Sequence, residues 1–156
     1  MNTVQYQAIG RVRAEKGFAI EIDPEWRPGL LGLEGFSHLL VIWHADQGQW
    51  NPDWLTMAKP YRKAPERLGI FATRSPVRPN SICLSVAPVI RIDRENGIIE
   101  CAYVDAAEGT PVLDIKPWLA CCDRPATPRS PEWCRHWPAN LEASGRFDWQ
   151  SEFLFS

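Results

Sequence analysis

Apolar residues recur at every second position or in short unbroken runs, which is the pattern of β-strands rather than of helices. No long apolar stripe with the period of a helix occurs before Pro117. Short strands are predicted at 4–12, 18–22, 36–43, 68–72, 82–92, 98–104 and 112–115. Strands at this spacing indicate an all-β fold, either a sandwich or a small antiparallel barrel.

The clearest turn lies between two β-rich runs, where residues 93–97 read Asp-Arg-Glu-Asn-Gly. An Asn-Gly pair tolerates the positive φ of tight turns, so a hairpin is predicted to join 82–92 to 98–104. Two prolines and a glycine make 23–29 a predicted loop. Segment 48–65, which contains prolines and tryptophans, is expected to be irregular.

The C-terminal segment is rich in prolines and tryptophans. A short helix over 131–142 is one option there, although Pro138 would break it. We predict a domain over residues 1–120 and an irregular tail over residues 121–156. The tryptophans of this tail are expected to pack on that domain or on a neighbouring subunit.

A length of 156 residues with 45% hydrophobic and 23% charged residues suits one soluble domain with a sizeable core. The longest apolar run, 39–43, is too short to span a bilayer, and the N-terminus lacks the features of a secretion signal. We therefore expect a cytoplasmic protein with no membrane partner. Five cysteines, an odd number, predict free thiols rather than a disulfide framework.

The net charge of −2 argues against a general nucleic-acid coat, and no DNA partner is expected. The charge is nevertheless uneven, because residues 59–78 hold six basic side chains and one acidic one. Such a run forms either a local phosphate-binding patch or simply a solvated basic loop.

Several common chemistries are excluded by the motifs that the chain lacks. The sequence contains no phosphate-binding glycine loop, no dinucleotide fingerprint and no Gly-x-Ser-x-Gly elbow. Cys121, Cys122, Cys134 and His136 cluster, but without the Cys-x2-4-Cys spacing of structural zinc sites, so no metal is expected. His38 and His44 flank a predicted buried strand, where a polar strand-end role is the simpler interpretation.

Three segments combine turn residues with charged or aromatic ones, namely 32–38, 71–82 and 108–117. In the second, prolines stiffen a loop that carries Arg74 and Arg78, which favours binding of an anion or a base. In the third, Asp114 and Lys116 alternate with apolar residues and are predicted to share one face of a strand. That pair fits either proton transfer or a plain ion pair.

Residues 4–119 resemble the TsaA-like (UPF0066) family, whose best-known members methylate N6-threonylcarbamoyladenosine in tRNA. The matching pieces are 9–13, 32–39, 69–76, 78–80 and 105–117. The resemblance implies a small antiparallel β-barrel that forms a homodimer, binds S-adenosylmethionine and acts on tRNA.

The resemblance also implies where the cofactor is held: the loop after the first strand, the end of the buried strand, an arginine motif and a late turn. The corresponding residues are Ala14, Glu15, Lys16, His44, Ala45, Arg74, Leu84, Ala107, Glu108, Gly109 and Thr110. Arg74 is the candidate partner of the methionine carboxylate. Arg78 and Asn80 are candidate substrate contacts, with Asp114 as catalytic base and Lys116 stabilising negative charge.

Three positions depart from the pattern usual in that family. Ser81 stands where a proline is usual, Cys83 where a glycine is usual, and Glu108 where an aspartate is usual. The departures keep two alternatives open. One is a methyltransferase acting on a small molecule or another RNA, and the other is a module that binds the cofactor without catalysis.

Overall fold

The structure is a computed structural model that describes residues 3–154, and most of its regular structure is β. The strands are β1 (Gly10–Arg13), β2 (Phe18–Ile22), β3 (His38–His44), β4 (Thr56–Ala58), β5 (Arg67–Gly69), β6 (Ile82–Asp93), β7 (Ile98–Cys101) and β8 (Pro111–Pro117). The α-helices are single turns: α1 (Ala120–Asp123), α2 (Leu141–Ser144) and α3 (Trp149–Glu152). Short 3-10 helices span Pro24–Leu30, Pro52–Leu55, Ile70–Ala72 and Glu132–Cys134. The β class predicted from the sequence is confirmed, with a few short helices added.

Six antiparallel strands pair in the order β1-β2-β7-β6-β3-β8, and β8 pairs back with β1, so that this sheet closes on itself. Alternate residues of β3 point inward, and Leu39, Val41 and Trp43 are buried. The indole N–H of Trp43 donates to the hydroxyl oxygen of Ser85 across the β3–β6 pair at 3.0 Å. This pairing satisfies a polar group that the apolar interior would otherwise leave without a partner.

The predicted hairpin is present, with β6 and β7 joined by residues 94–97. The Asp93 carboxylate accepts a hydrogen bond from the backbone N–H of Asn96 at 3.1 Å. Gly97 has φ +72°, and a Cβ there would lie 2.6 Å from the carbonyl oxygen of Ile22. Only glycine meets both conditions, because it tolerates positive φ and has no Cβ.

The chain divides into two compact units. The first comprises Met1–Gln49 and Pro76–Arg124 and contains the closed sheet, and the second comprises Trp50–Ser75 and Pro125–Ser156. The domain boundary between residues 120 and 121 stays a prediction. So does the packing of the tail on that domain or on a neighbouring subunit. No helix within residues 3–154 has the length and apolarity needed to cross a membrane.

The second unit contains a two-stranded sheet, β4–β5, and Tyr61 lies shortly after β4. Side chains of the tail pack around Tyr61. The Tyr61 ring stacks on Trp133 and meets Trp137 edge-on, with centroid distances of 5.5 and 5.0 Å. Burial raises the pKa of the Tyr61 hydroxyl. The buried carboxylate of Glu152 accepts hydrogen bonds from the ring nitrogens of Trp137 and His136, at 2.9 and 3.0 Å. The tryptophans therefore build a small aromatic core within this unit.

Several sequence expectations differ from the structure. The first strand begins only at Gly10, where pairing with β2 begins, and the predicted loop 23–29 is mostly a 3-10 helix that Pro24 starts. The predicted strand 68–72 ends at Gly69 and continues as a 3-10 turn. Segment 48–65 is partly regular, since it contains β4.

No single helix spans residues 131–142, and the interruption expected at Pro138 is present. The structure has a 3-10 turn at Glu132–Cys134 and a separate α2. The side chain of Asn140 accepts a hydrogen bond from the backbone N–H of Ala143 at 2.9 Å. This N-cap, two residues after Pro138, starts a new helix, whereas the earlier 3-10 turn has already ended at Cys134, before the proline.

Candidate functional site

A cavity of about 490 Å³ lies in the first unit, where β3 ends and where β2 and β8 begin. Its volume is in the range of small-molecule sites. Three aromatic side chains contribute to its wall: Phe18, Trp43 and Tyr103. The remaining lining residues are Ala45, Asp46, Gln47, Gly48, Pro76, Val77, Val104, Asp105, Ala106, Ala107 and Thr110. Such a wall suits a ligand that has a flat apolar part and a few polar groups.

Beside this cavity, Glu108 joins two segments that are far apart in the sequence. Its carboxylate accepts hydrogen bonds from the backbone N–H groups of Ala14 at 2.5 Å and of Glu15 at 3.2 Å. The guanidinium of Arg13 donates to the same carboxylate at 3.0 Å. The hydrogen bond from Ala14, and then the one from Arg13, hold the pKa of Glu108 below its ordinary value. The predicted cofactor loop and the predicted cofactor turn are therefore brought together.

Three of the residues implied for the cofactor line the cavity directly, namely Ala45, Ala107 and Thr110. Thr110 is buried, and its carbonyl accepts from the backbone N–H of Val12 at 2.9 Å. The neighbouring Gly109 donates to the carbonyl of Val12 at 2.8 Å. These backbone bonds fix the turn against the end of β1 and set the shape of that side of the cavity.

Other implied residues lie on the outer face of the closed sheet. Strand register places Ile42 opposite Leu84 on β6 and opposite Asp114 on β8. Since Val41 and Trp43 point inward, the three residues of this row point outward, as does His44 at the end of β3. Within the first unit, implied site residues therefore lie both around the cavity and on this outer face.

Asp114 and Lys116 share a face, as their alternation predicts, and their side chains form an ion pair at 2.6 Å. Both side chains are about half exposed, at 49% and 60%. Neither is among the described residues that line the cavity. Their catalytic assignment stays a prediction.

Ser81 forms a constrained corner at the start of β6. Its φ is +41°, the only non-glycine positive φ among residues 3–154. Both its backbone N–H and its hydroxyl donate to the carbonyl oxygen of Arg78, each at 3.1 Å. Its own carbonyl accepts from the backbone N–H of Ala45 at 2.9 Å. The corner therefore holds the cavity residue Ala45 in place and positions the candidate substrate residues Arg78 and Asn80.

Cys83, the second departure from the family pattern, lies opposite Trp43 on the inner face of the β3–β6 pair. The pKa of the Cys83 thiol is raised, mainly by burial. The charge of Arg78 partly opposes this increase, and the charge of Asp105 adds to it. The Cys83 side chain consequently occupies space beside one aromatic wall of the cavity.

Arg74 belongs to the second unit and is exposed. The basic run 59–78 is divided between the two units, so only its members from Lys59 to Arg74 lie in the second. Arg62, Lys63 and Arg67 are exposed there, and Lys59 lies 3.8 Å from Glu66.

The five cysteines are free thiols, and burial raises the pKa of Cys101 to about 11. No group of three or more His, Cys, Asp or Glu side chains with the arrangement of a metal site occurs within the described part of the chain.

Sequence reasoning assigned only three of the cavity residues to the site, and it left out the aromatic and charged ones: Phe18, Trp43, Asp46, Tyr103 and Asp105. Asp46 directly follows His44 and Ala45, which the resemblance implies for the cofactor, and this adjacency in the sequence could have indicated Asp46. Phe18 and Tyr103 meet edge-on at 5.1 Å because Phe18 pairs with Cys101, a relationship that only the strand register creates.

Comparison with known proteins defines the family. The profile of the tRNA-methyltransferase O N-terminal domain matches residues 6–124, and the chain belongs to that family. The resemblance to the TsaA-like family is thereby confirmed.

Two named relatives illustrate the similarity. A probable S-adenosyl-L-methionine-binding protein of Pyrococcus abyssi is 38% identical over 100 residues, covering 64% of this chain and 51% of that protein. The tRNA (adenine(37)-N6)-methyltransferase of Escherichia coli is 32% identical over 142 residues, covering 76% of this chain and 59% of that protein. The chain thus spans between half and three fifths of the length of these two curated relatives.

The fold is also similar to solved structures. The crystal structure of TrmO from Pseudomonas aeruginosa matches with a TM-score of 0.63 and 28% identity, covering 82% of this chain and 62% of that chain. A second TrmO crystal structure matches with a TM-score of 0.66 and 27% identity, covering 83% of this chain and 64% of that chain.

Proposed function

We propose that this protein is an S-adenosylmethionine-dependent methyltransferase that methylates N6 of threonylcarbamoyladenosine next to the anticodon of tRNA. The observation that carries the proposal is the aromatic cavity beside the Glu108 hydrogen bonds, which unite two segments implied for the cofactor. Relatives named as S-adenosylmethionine-binding proteins and as tRNA methyltransferases support it. The protein then acts in the cytoplasm.

The cavity residues fit the cofactor. Adenine requires flat apolar walls, and the lining of the cavity is largely apolar. Backbone groups of the loop 14–16 and the turn 107–110 surround the polar parts of the ligand. The resemblance implies Arg74 as the partner of its carboxylate. His44, Ala45 and Leu84 complete the proposed cofactor set. When bound, S-adenosylmethionine supplies an electrophilic methyl group.

We further propose that the closed sheet acts as a small antiparallel barrel that forms a homodimer. The outer face of β3 and β6 carries exposed apolar side chains, with Ile82 39% and Leu84 44% exposed. Burying such a patch against a second copy would be favourable. If two copies of the chain pair through this face, His44 and Leu84 lie next to the partner subunit. Residues of both copies would then contribute to one shared site.

Substrate binding is assigned to Arg78, Asn80 and the basic side chains of the second unit. Arginine and lysine bind phosphates, so tRNA affinity should fall steeply with salt concentration. The N6 atom carries one proton and a lone pair delocalised into the purine and the carbonyl group, so it needs a base. We assign Asp114 to accept that proton as the nitrogen–methyl bond forms, and Lys116 to stabilise the negative charge that develops.

Two other functions remain as defined alternatives. Cys83 and Ser81 lie near the cavity and depart from the family pattern, which is the observation that favours a small-molecule or other RNA substrate. A domain that binds the cofactor without turnover is the second alternative. A screen of methyl transfer from labelled cofactor to tRNA, other RNAs and small metabolites separates all three functions.

The cofactor assignment has its own test, which is titration calorimetry with S-adenosylmethionine. Arg74→Ala should weaken binding about tenfold, since a lost charged hydrogen bond costs about 1.5–3 kcal/mol. Lys63→Ala, an exposed cation of the same unit, is the matched control and should bind like the wild type. Unchanged affinity in folded Arg74→Ala protein would remove Arg74 from the site.

A further inference from the structure

Two acidic residues of the cavity take no part in the proposed cofactor and substrate contacts. Asp46 and Asp105 both line it, from the segment after β3 and from the segment before β8. Among the described lining residues these two are the charged ones, and no lysine, arginine or histidine accompanies them. An anionic ligand would be disfavoured beside this pair, whereas a cationic group would be attracted.

Asp105 is held in position rather than freely rotating. The hydroxyl of Tyr103 donates to its carboxylate at 3.0 Å. The Tyr103 ring is in turn fixed edge-on against Phe18 at 5.1 Å. The pKa of the Tyr103 hydroxyl is raised, mainly by burial. The negative charge of Asp105 and the hydrogen bond to its carboxylate raise it further.

Part of the wall of this cavity is aromatic. Phe18, Trp43 and Tyr103 line the same cavity as Asp46 and Asp105. Aromatic faces attract cations through the ring quadrupole, and sulfonium and quaternary ammonium groups are typical ligands of such walls. The carboxylates and the aromatic faces of this cavity therefore both favour a ligand with a diffuse positive charge.

We propose that Asp46 and Asp105, with the aromatic wall of Phe18, Trp43 and Tyr103, form a subsite that recognises the positive charge of the cofactor's sulfonium. This inference rests on the proposed function. The subsite distinguishes the charged methyl donor from its product, S-adenosylhomocysteine, which has the same adenosine and amino-acid parts but a neutral thioether. Loss of the charge after transfer then weakens binding and promotes product release.

The test is calorimetric titration of the full chain with S-adenosylmethionine and with S-adenosylhomocysteine. Asp105→Asn and Asp46→Asn should each weaken binding of the donor about fivefold, as expected for one partly screened charge. Binding of the product should change less than about twofold, because the thioether carries no charge. Glu25→Gln removes one exposed charge of the same unit away from the cavity and should leave both affinities unchanged.

A further variant tests whether Tyr103 positions the Asp105 carboxylate. Tyr103→Phe keeps the aromatic face and removes the hydrogen bond to Asp105, so it should reduce the preference for the donor by less than Asp105→Asn does. The preference should also shrink with added salt, since the carboxylates are exposed.

The outcomes separate this inference from the function on which it rests. If wild-type protein binds neither ligand, the proposed function fails. If it binds both, and the two aspartate variants weaken both ligands equally or neither, the function stands and the sulfonium subsite is wrong. Selective weakening of the donor supports the subsite.

Discussion

The carboxylate of Glu108 lies 2.5 Å from the backbone nitrogen of Ala14, although 94 residues separate them in the chain. A second N–H, from Glu15, and the guanidinium of Arg13 donate to the same carboxylate. One side chain therefore orders the end of β1 and the turn before β8, which are two sides of the candidate site. A glutamate makes these contacts at a position where an aspartate is usual in the family.

Glu108→Gln should weaken binding of S-adenosylmethionine about fivefold, because an amide accepts weaker hydrogen bonds than a carboxylate from Ala14 and Glu15. Titration calorimetry measures the effect, with Glu25→Gln as the control for lost charge in the same unit. Glu108→Asp should retain more affinity than the glutamine variant, since it keeps the charge. Equal affinity of the wild type and Glu108→Gln would show that this contact does not shape the site.

The lowered pKa of Glu108 links its contacts to pH. The folded-state pKa lies below the ordinary value of 4.5, so the stabilisation is complete above pH 4.5 and is lost as the pH falls through the folded-state value. The melting temperature of the wild type should therefore exceed that of Glu108→Gln near pH 6, and the difference should shrink below pH 4.5. Thermal denaturation from pH 6 to pH 3 measures it, and a constant difference across that range would contradict the assignment.

Ser81→Pro should destabilise the first unit by about 3 kcal/mol or more, because proline cannot adopt positive φ and cannot donate to Arg78. Ser81→Gly should stay within about 1 kcal/mol of the wild type, since relief of the left-handed conformation offsets the lost hydroxyl contact. Urea denaturation followed by tryptophan fluorescence compares the variants. A stable Ser81→Pro protein would mean that the backbone here differs from the φ of +41°.

Ile82→Glu should convert a dimer to a monomer, because it introduces a charge into the apolar outer face of β3 and β6. Sedimentation velocity gives the mass of each species. Leu31→Glu makes the same change at another exposed apolar position of the first unit, outside that face, and should remain dimeric. Dimers in both variants, or a monomeric wild type, would exclude this face as the dimer interface.

Local sequence signals predicted the parts of the fold that local chemistry determines. The Asn96-Gly97 turn identified the hairpin, and the apolar run before His44 identified β3. The aromatic core of the second unit was beyond such signals, because Tyr61 and Trp133 meet only through tertiary packing. For the same reason no pattern could show that Glu108 contacts Ala14.

The candidate site was predicted unevenly. The resemblance indicated Ala45, Ala107 and Thr110, which line the cavity. It could not separate them from His44 and Leu84, which strand register places on the outer face. Asp105 went unassigned because its relevance depends on the Tyr103 hydrogen bond and on the cavity beside it.

The central claim is methyl transfer to one modified nucleoside of tRNA. The most direct measurement incubates the full chain with methyl-labelled S-adenosylmethionine and bulk tRNA, digests the RNA and identifies labelled nucleosides by mass. The account predicts label on threonylcarbamoyladenosine and none when the tRNA lacks that modification. Absence of label on any nucleoside, from protein that still binds the cofactor, would contradict it.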